Sequence, residues 1–192
     1  MAKGAYQFLR ELWKKPSYEF MSPKLMEWRK EPVVTRIEHP TRLDRARTLG
    51  YKAKKGFIVV RVRILRGGRR RPRPGVGGRK IKRLTIRKTL KMNYQWVAEM
   101  RANRKYTNLE VLNSYPVGKD GINYFFEVIM IDPSMPEIKT DKDVKWVCSG
   151  KHSGRAFRGL TSAGRKSRGL RNKGKRAIKL RPSVHAHSNT GK

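Results

Sequence analysis

The stretch FIVVRVRILR, residues 57–66, decides how this chain folds. Ile58, Val60, Val62 and Ile64 alternate with Arg61 and Arg63, and a period of two turns successive side chains to opposite faces of a β-strand. One face is apolar enough to bury and the other is cationic. A second run, INYFFEVIMI at 122–131, is apolar on both faces and reads as a central strand ended by Asp132-Pro133. Before it, 109–117 reads as a strand interrupted at Pro116, which suits an edge. Lys119-Asp120-Gly121 is the turn between the two. Asn93 is placed to cap a helix through about Lys105, with Trp96, Val97 and Met100 inward. Strand, helix, strand, turn, strand predicts an α+β unit: a small antiparallel sheet with a helix across it.

Shorter elements flank this unit. Ala5, Phe8, Leu9 and Leu12 recur at helical spacing, and Pro16 closes that helix. Ser22-Pro23 reads as a cap and first helical residue for a helix over 23–30. Thr41-Arg-Leu-Asp44 resembles a capping box for a helix over 42–49, closed by Gly50. Thr161 is placed to cap a short helix at 162–167. The predicted organisation is an N-terminal helical segment (1–40), an α+β core (41–143) with an inserted basic Pro/Gly loop (67–91), and a basic C-terminal extension (144–192). A short strand is expected at 84–88, and the tail beyond residue 170 lacks the apolar content to fold alone.

The chain has 192 residues with 48 Lys and Arg against 14 Asp and Glu, a formal charge of +34. Self-repulsion from such a field opposes a compact free domain, so the counter-charge is expected on another molecule. The charge is also segregated. Residues 45–98 hold nineteen cations and 144–192 hold fourteen, and neither block contains an acid. Between them, 99–143 is near neutral. A salt-bridged solvated surface would interleave signs. A nucleic acid is the partner this pattern fits, and the binding should be steeply salt-dependent through counterion release.

Other classes find little support. No unbroken apolar run exceeds four residues, against the ~20 a spanning helix needs. The N-terminus carries charge every few residues, so no signal peptide is expected. The single cysteine, Cys148, cannot form an internal disulfide. Gly169 to Lys175 fits the start of a phosphate-binding loop, but Arg176 stands where Ser or Thr is required and no strand precedes it. Cys148 and His152 lack a second metal pair, and His185 and His187 lie in a polar tail, so no metal site is expected. No paired acids or nucleophile–base set appears, which argues against an RNA-modifying enzyme; no cofactor and no small-molecule substrate are expected. A duplex-DNA compactor is the remaining rival on composition.

The candidate contacts with nucleic acid are therefore cations and a few aromatics. In and just before the first block they are Arg42, Arg45, Arg47, Tyr51, Lys52, Lys54, Lys55, Arg61, Arg63, Arg66, Arg69, Arg70, Arg71, Arg73, Arg79, Lys80, Lys82, Arg83, Arg87 and Lys88. In the second they are Arg155, Arg158, Arg165, Lys166, Arg168, Arg171, Lys173, Lys175 and Arg176. Arginine offers forked donors to phosphate, and Gly lets backbone approach closely. Arg61 and Arg63, with no carboxylate near them in sequence, read either as solvent-facing strand residues or as a nucleic-acid platform. Trp13, Trp28, Trp96 and Trp146 lie beside basic residues and could stack on bases or pack internally. Trp96 and Phe126 read as core, and Tyr51 is open between the two roles.

Four stretches carry a family resemblance: GAYQFLRELWKKP (4–16), TRLDRARTLGYKAKKGFIVVRVRILRGGRRRPRP (41–74), LEVLNSYPVGKDGINYFFEVIMIDP (109–133) and RGLTSAGRKSRGL (158–170). Together they resemble the large-subunit ribosomal protein of archaea and eukaryotes numbered fifteen, the "L fifteen e" family. The runs 44–56 and 160–169 are the most distinctive. The resemblance implies a structural, non-catalytic protein of the cytoplasmic ribosome, bound to large-subunit rRNA and packed against neighbouring large-subunit ribosomal proteins, with no membrane contact. It implies an α+β fold with an antiparallel sheet, packed helices and long basic extensions threaded into rRNA. The 99–143 block is the candidate for contact with neighbouring proteins. The tail after residue 170 departs from the longer eukaryotic members and points to the archaeal form.

Overall fold

The computed structural model describes residues 4–68, 90 and 92–188. Four strands form one antiparallel sheet in the order β1-β2-β4-β3: β1 (Val34–Ile37), β2 (Phe57–Leu65), β3 (Glu110–Lys119) and β4 (Asn123–Ile131). Six helices are described: α1 (Ala5–Lys14), α2 (Tyr18–Lys30), α3 (Leu43–Thr48), α4 (Tyr94–Lys105), α5 (Pro136–Lys139) and α6 (Ser162–Ser167). The α+β class follows from this arrangement.

The alternation in β2 divides the molecule into layers. Val60, Val62 and Ile64 pack with Val128 and Met130 of β4 and with Ala98 and Ala102 of α4. On the opposite face Val59, Phe125 and Ile129 pack with Trp13, Trp28, Ala46 and Tyr51, from α1, α2, α3 and the loop after α3. The sheet thus lies between α4 on one side and α1–α3 on the other. A third cluster, around Ile131, Ile138, Val144 and Val147, seats α5 and the following turns at the end of β4. β4 is central and buried from Phe125 to Ile131, as its two-sided apolarity implies. β3 is an edge, and its register slips between Pro116 and Gly118, where an edge tolerates a missing donor.

Several local readings are corrected. The second helix begins at Tyr18, five residues before Pro23, with Ser17 as its cap. Pro23 lies inside it and forgoes one backbone bond. Burial carries the helix across this site, because Phe20, Met21, Leu25 and Trp28 all face the core. β1 had no periodicity signal, since four residues are too few to establish one. Thr41 does not cap α3: the cap position is Arg42, without a side-chain bond, and Thr41 turns inward instead. In α4 the deepest positions are the small Ala98 and Ala102 and the polar Glu99 and Asn103, while Val97 and Met100 are half-buried. Small side chains let this helix approach the sheet closely.

Much of the predicted C-terminal extension nearest the core is folded. Ala156, Ala163 and Thr161 are buried, and α6 packs on α4 and β3. Trp96 donates its indole N–H to the Ala156 carbonyl. Two glycines make this docking possible. A Cβ at Gly164 would sit 2.6 Å from the Gly159 Cα, and Gly159 itself has φ +65° beneath the Trp96 ring. The strand expected at 84–88 lies outside the described residues.

Candidate nucleic-acid interface

Five of the fourteen acids turn inward. Asp44, Glu99, Glu110, Glu127 and Asp141 are all buried, and four of them come from the near-neutral 99–143 block. Glu99, Glu110 and Glu127 tie chain segments to the sheet, and Asp141 ties the 52–54 segment to the turn after α5. Glu127 accepts hydrogen bonds from the Thr41 backbone N–H, the Thr41 hydroxyl and the Tyr115 hydroxyl, the last at 2.6 Å. Glu99 accepts from the hydroxyls of Ser114 and Thr161, the latter also capping α6. Glu110 accepts from the Gly154 N–H at 2.8 Å. Asp141 receives Lys52 Nζ at 2.9 Å and also Lys54.

The electrostatic consequences differ by depth. Burial pushes the carboxyls of Glu99 and Glu127 above the ordinary range, against the opposing pull of their hydroxyl donors. Asp141 is held well below it, first by the Lys52 hydrogen bond and then by Lys54. Lys52 is raised in turn, chiefly by Asp141 and then Asp143. Burial lowers the Arg155 guanidinium, with Glu99 and Glu110 opposing the shift.

The candidate residues sort accordingly. Arg61 is not on an open platform. Its guanidinium bonds Glu31 at 2.7 Å, sits 3.6 Å from Glu127 and lies against the Trp28 ring. Its carboxylate partners are distant in sequence, so the local absence of acids misled the reading. Arg63 is half-buried and donates to the Arg29 carbonyl, under the same α2 cover. Tyr51 is buried against Phe57, edge to face, which settles it as core. Arg155 is buried too and donates to the Val111 and Leu112 carbonyls while backing the Trp146 ring. Trp13, Trp28 and Trp96 are core, whereas Trp146 is partly exposed.

Other candidates face outward. Arg45 and Arg47 project from α3, and Arg47 rests on Tyr6. Arg42 is half-buried beside Trp13 and Asp44. Lys55 is exposed, and Lys52 and Lys54 are engaged by acids. Arg66 is exposed over the Tyr124 ring and bonds the Asp120 carbonyl. Arg158, Arg165, Lys166, Arg171, Lys173 and Lys175 are exposed. Arg158 spends one nitrogen on the carbonyls of Lys151 and Ser153, Arg171 bonds the Ser162 hydroxyl, and the half-buried Arg168 bonds the Gly159 carbonyl. A guanidinium has five N–H donors, so these contacts aim the group and leave donors facing solvent. Among the described residues, the exposed Arg45, Arg47, Lys55, Arg158, Arg165, Lys166, Arg171, Lys173 and Lys175 form no ion pair.

Arg69, Arg70, Arg71, Arg73, Arg79, Lys80, Lys82, Arg83, Arg87 and Lys88 lie outside the described residues, as does the side chain of Arg176. Among the described residues no group of three or more His, Cys, Asp or Glu is placed to hold a metal, and no helix is long and apolar enough to cross a membrane.

Comparison with known proteins adds an independent line. A family model described as Ribosomal L15 matches residues 4–187. A curated relative, the large ribosomal subunit protein eL15 of Methanocella arvoryzae, is 52% identical over 197 residues, covering 100% of both chains.

Proposed function

Because the chain belongs to the ribosomal L15e family, we propose that it binds and stabilises folded large-subunit rRNA through its outward cations. As a member of that family it is a structural protein of the large ribosomal subunit and not an enzyme, and the ribosome is where it resides. Its relative is archaeal. The finer reading concerns how the fold serves RNA. Arg45 and Arg47 on α3, with Arg165, Lys166 and Arg171 on and beyond α6, contact phosphates, and the basic stretch holding Arg69 to Arg73 does the same. Such contacts set position and not sequence. Shape and 2′-hydroxyls supply the selectivity that exists.

One observation carries this reading: among the described residues the exposed Arg45, Arg47, Lys55, Arg158, Arg165, Lys166, Arg171, Lys173 and Lys175 form no ion pair, while the buried acids are engaged by hydroxyl, N–H and ammonium donors of the chain itself. Filter binding of the full chain to large-subunit rRNA tests it. With roughly ten phosphate contacts, affinity should fall by about 10³–10⁵ between 50 and 200 mM salt. A flat salt response would overturn the reading.

A further inference from the structure

We propose that Arg36, Arg101, Arg104 and Lys105 form a second RNA-backbone contact face, on the layer of the sheet opposite Arg45 and Arg47. The inference rests on the RNA-binding reading and extends it from one contact surface to a bridge between two RNA segments.

The α4 helix supplies three of the four cations. Arg101, Arg104 and Lys105 are spaced by three and four residues and so share its outer face, and all three are exposed. Two are fixed in place by main-chain oxygens. Arg101 donates to the Arg63 carbonyl at 3.3 Å, and Lys105 Nζ donates to the Val34 carbonyl at 2.8 Å. Both contacts reach across to the same corner of the sheet, since the Arg63 N–H bonds the Val33 carbonyl beside Val34. Arg36 joins them from β1. It pairs in register with Val60, whose side chain lies on the α4 side, and Val34, two residues earlier, packs against that same cluster.

The electrostatics of this corner are one-sided. The side chains of Arg36 and Arg104 form no hydrogen bond or ion pair among the described residues. The acid in α4, Glu99, is buried toward Ser114 and Thr161. Glu31 is engaged by Arg61 on the far layer. Glu38 is the exposed acid nearest in sequence to Arg36, and no ion pair joins them. Four cations on a rigid helix and strand, two of them pre-positioned by carbonyls, match a run of phosphates more closely than a flexible tail does, because little side-chain freedom remains to be lost on binding.

Location gives the patch its meaning. Arg45 and Arg47 stand on the α1–α3 layer and the new patch on the α4 layer, with the sheet between. Helix layers are each ~10–12 Å thick, so one straight duplex cannot lie against both outer faces. A protein engaging both holds two RNA segments at a fixed separation.

Arginine-selective dicarbonyl modification of intact large subunits, read by mass spectrometry before and after nuclease digestion, tests the proposal. Arg36 and Arg104 should be protected in the subunit and become reactive once RNA is digested. Full reactivity in the intact subunit would overturn the proposal. So would protection that survives nuclease and is relieved only by stripping neighbouring proteins, since the face would then belong to a protein partner. Arg45 and Arg47 serve as the separate readout of the broader reading: their failure to respond to nuclease counts against RNA binding at the α3 face, whatever Arg36 and Arg104 do. As a second measure, the R36A/R104A double variant of the full chain should retain the wild-type circular dichroism spectrum. The slope of log affinity against log salt should fall in magnitude by about 1.4–1.8, at ~0.7–0.9 per lost phosphate contact. An unchanged slope in a folded double variant would also sink the idea.

Discussion

Removing the Glu127 carboxylate should be among the most costly single changes outside the packing core. Thr35, Arg61, Glu127 and Tyr115 stand in direct register across all four strands. In E127A the Thr41 N–H and hydroxyl lose their acceptor. The Tyr115 hydroxyl, on a residue with 0% exposure, loses its acceptor as well. Leaving a buried donor unpaired costs about 1–3 kcal/mol, and breaking a buried charged pair about 3–5 kcal/mol. These overlap and do not add. Arg61 also keeps Glu31 at 2.7 Å and the Trp28 ring, so its charge is not orphaned. The lower end, about 3 kcal/mol, is therefore expected. For a chain of this size that corresponds to a fall in Tm of roughly 6–12 °C. Urea unfolding of the full chain is the suitable assay, because urea leaves ionic strength constant. A double-mutant cycle with Y115F isolates the Tyr115–Glu127 contact, with a coupling of about 0.5–3 kcal/mol expected. If E127A melts within about 2 °C of the native chain, under 1 kcal/mol by the same conversion, and the cycle shows no coupling, the buried row does not hold the sheet to the segment leading into α3.

Three further outcomes follow from the structure. Glu99 has a folded pKa raised by burial, so its contribution is fully present below the unfolded value near 4.5 and is lost as pH rises through the folded value. E99Q, whose hydroxyl partners can reverse their bonds, should therefore gain stability relative to the native chain as pH rises above about 4.5; a difference that does not change with pH would refute this. Asp141 and Asp120 have the opposite sign: both are lowered, Asp120 to about 2, so their contributions are present above the unfolded value of 3.8 and are lost as pH falls toward the folded ones. G164A should cost more than the ~1–3 kcal/mol of ordinary overpacking, because the new Cβ meets backbone at 2.6 Å. Limited proteolysis should then cut near residues 159–170, while G150A, with open space around it, should behave as the native chain does.

What the sequence revealed depended on how locally each signal was encoded. The alternation in 57–66 correctly placed Val60, Val62 and Ile64 against a helix, because a strand's period is fixed by its own backbone. The two-sided apolarity of 122–131 placed β4 in the centre for the same reason. The two caps at Asn93 and Thr161 were legible because each bonds a backbone N–H three residues on. Partners far apart in the chain were not legible. Arg61 looked free because Glu31 and Glu127 meet it only after β2 pairs with β4 and α2 folds over. Arg155 looked like a surface contact because its acceptors are the carbonyls of Val111 and Leu112. The basic corner at Arg36, Arg101, Arg104 and Lys105 was hidden by averaging, since its cations come from segments whose net charge is small.

The same contrast explains why a chain of +34 can fold at all. Here Glu99, Glu110, Glu127 and Asp141, from α4, β3, β4 and the turn after α5, each bind part of the 41–54 or 154–161 segment by hydroxyl, N–H or ammonium donors. Buried in this way, an acid acts over a short range and at low effective dielectric, where each contact counts for more than it would in solvent. The cations are then left exposed on rigid supports such as α3, α4 and α6. Moving one of these acids to the surface would weaken the fold and neutralise part of the cationic face at once. The inward placement of these four acids therefore anchors the fold and leaves the outer cations uncompensated by a single arrangement.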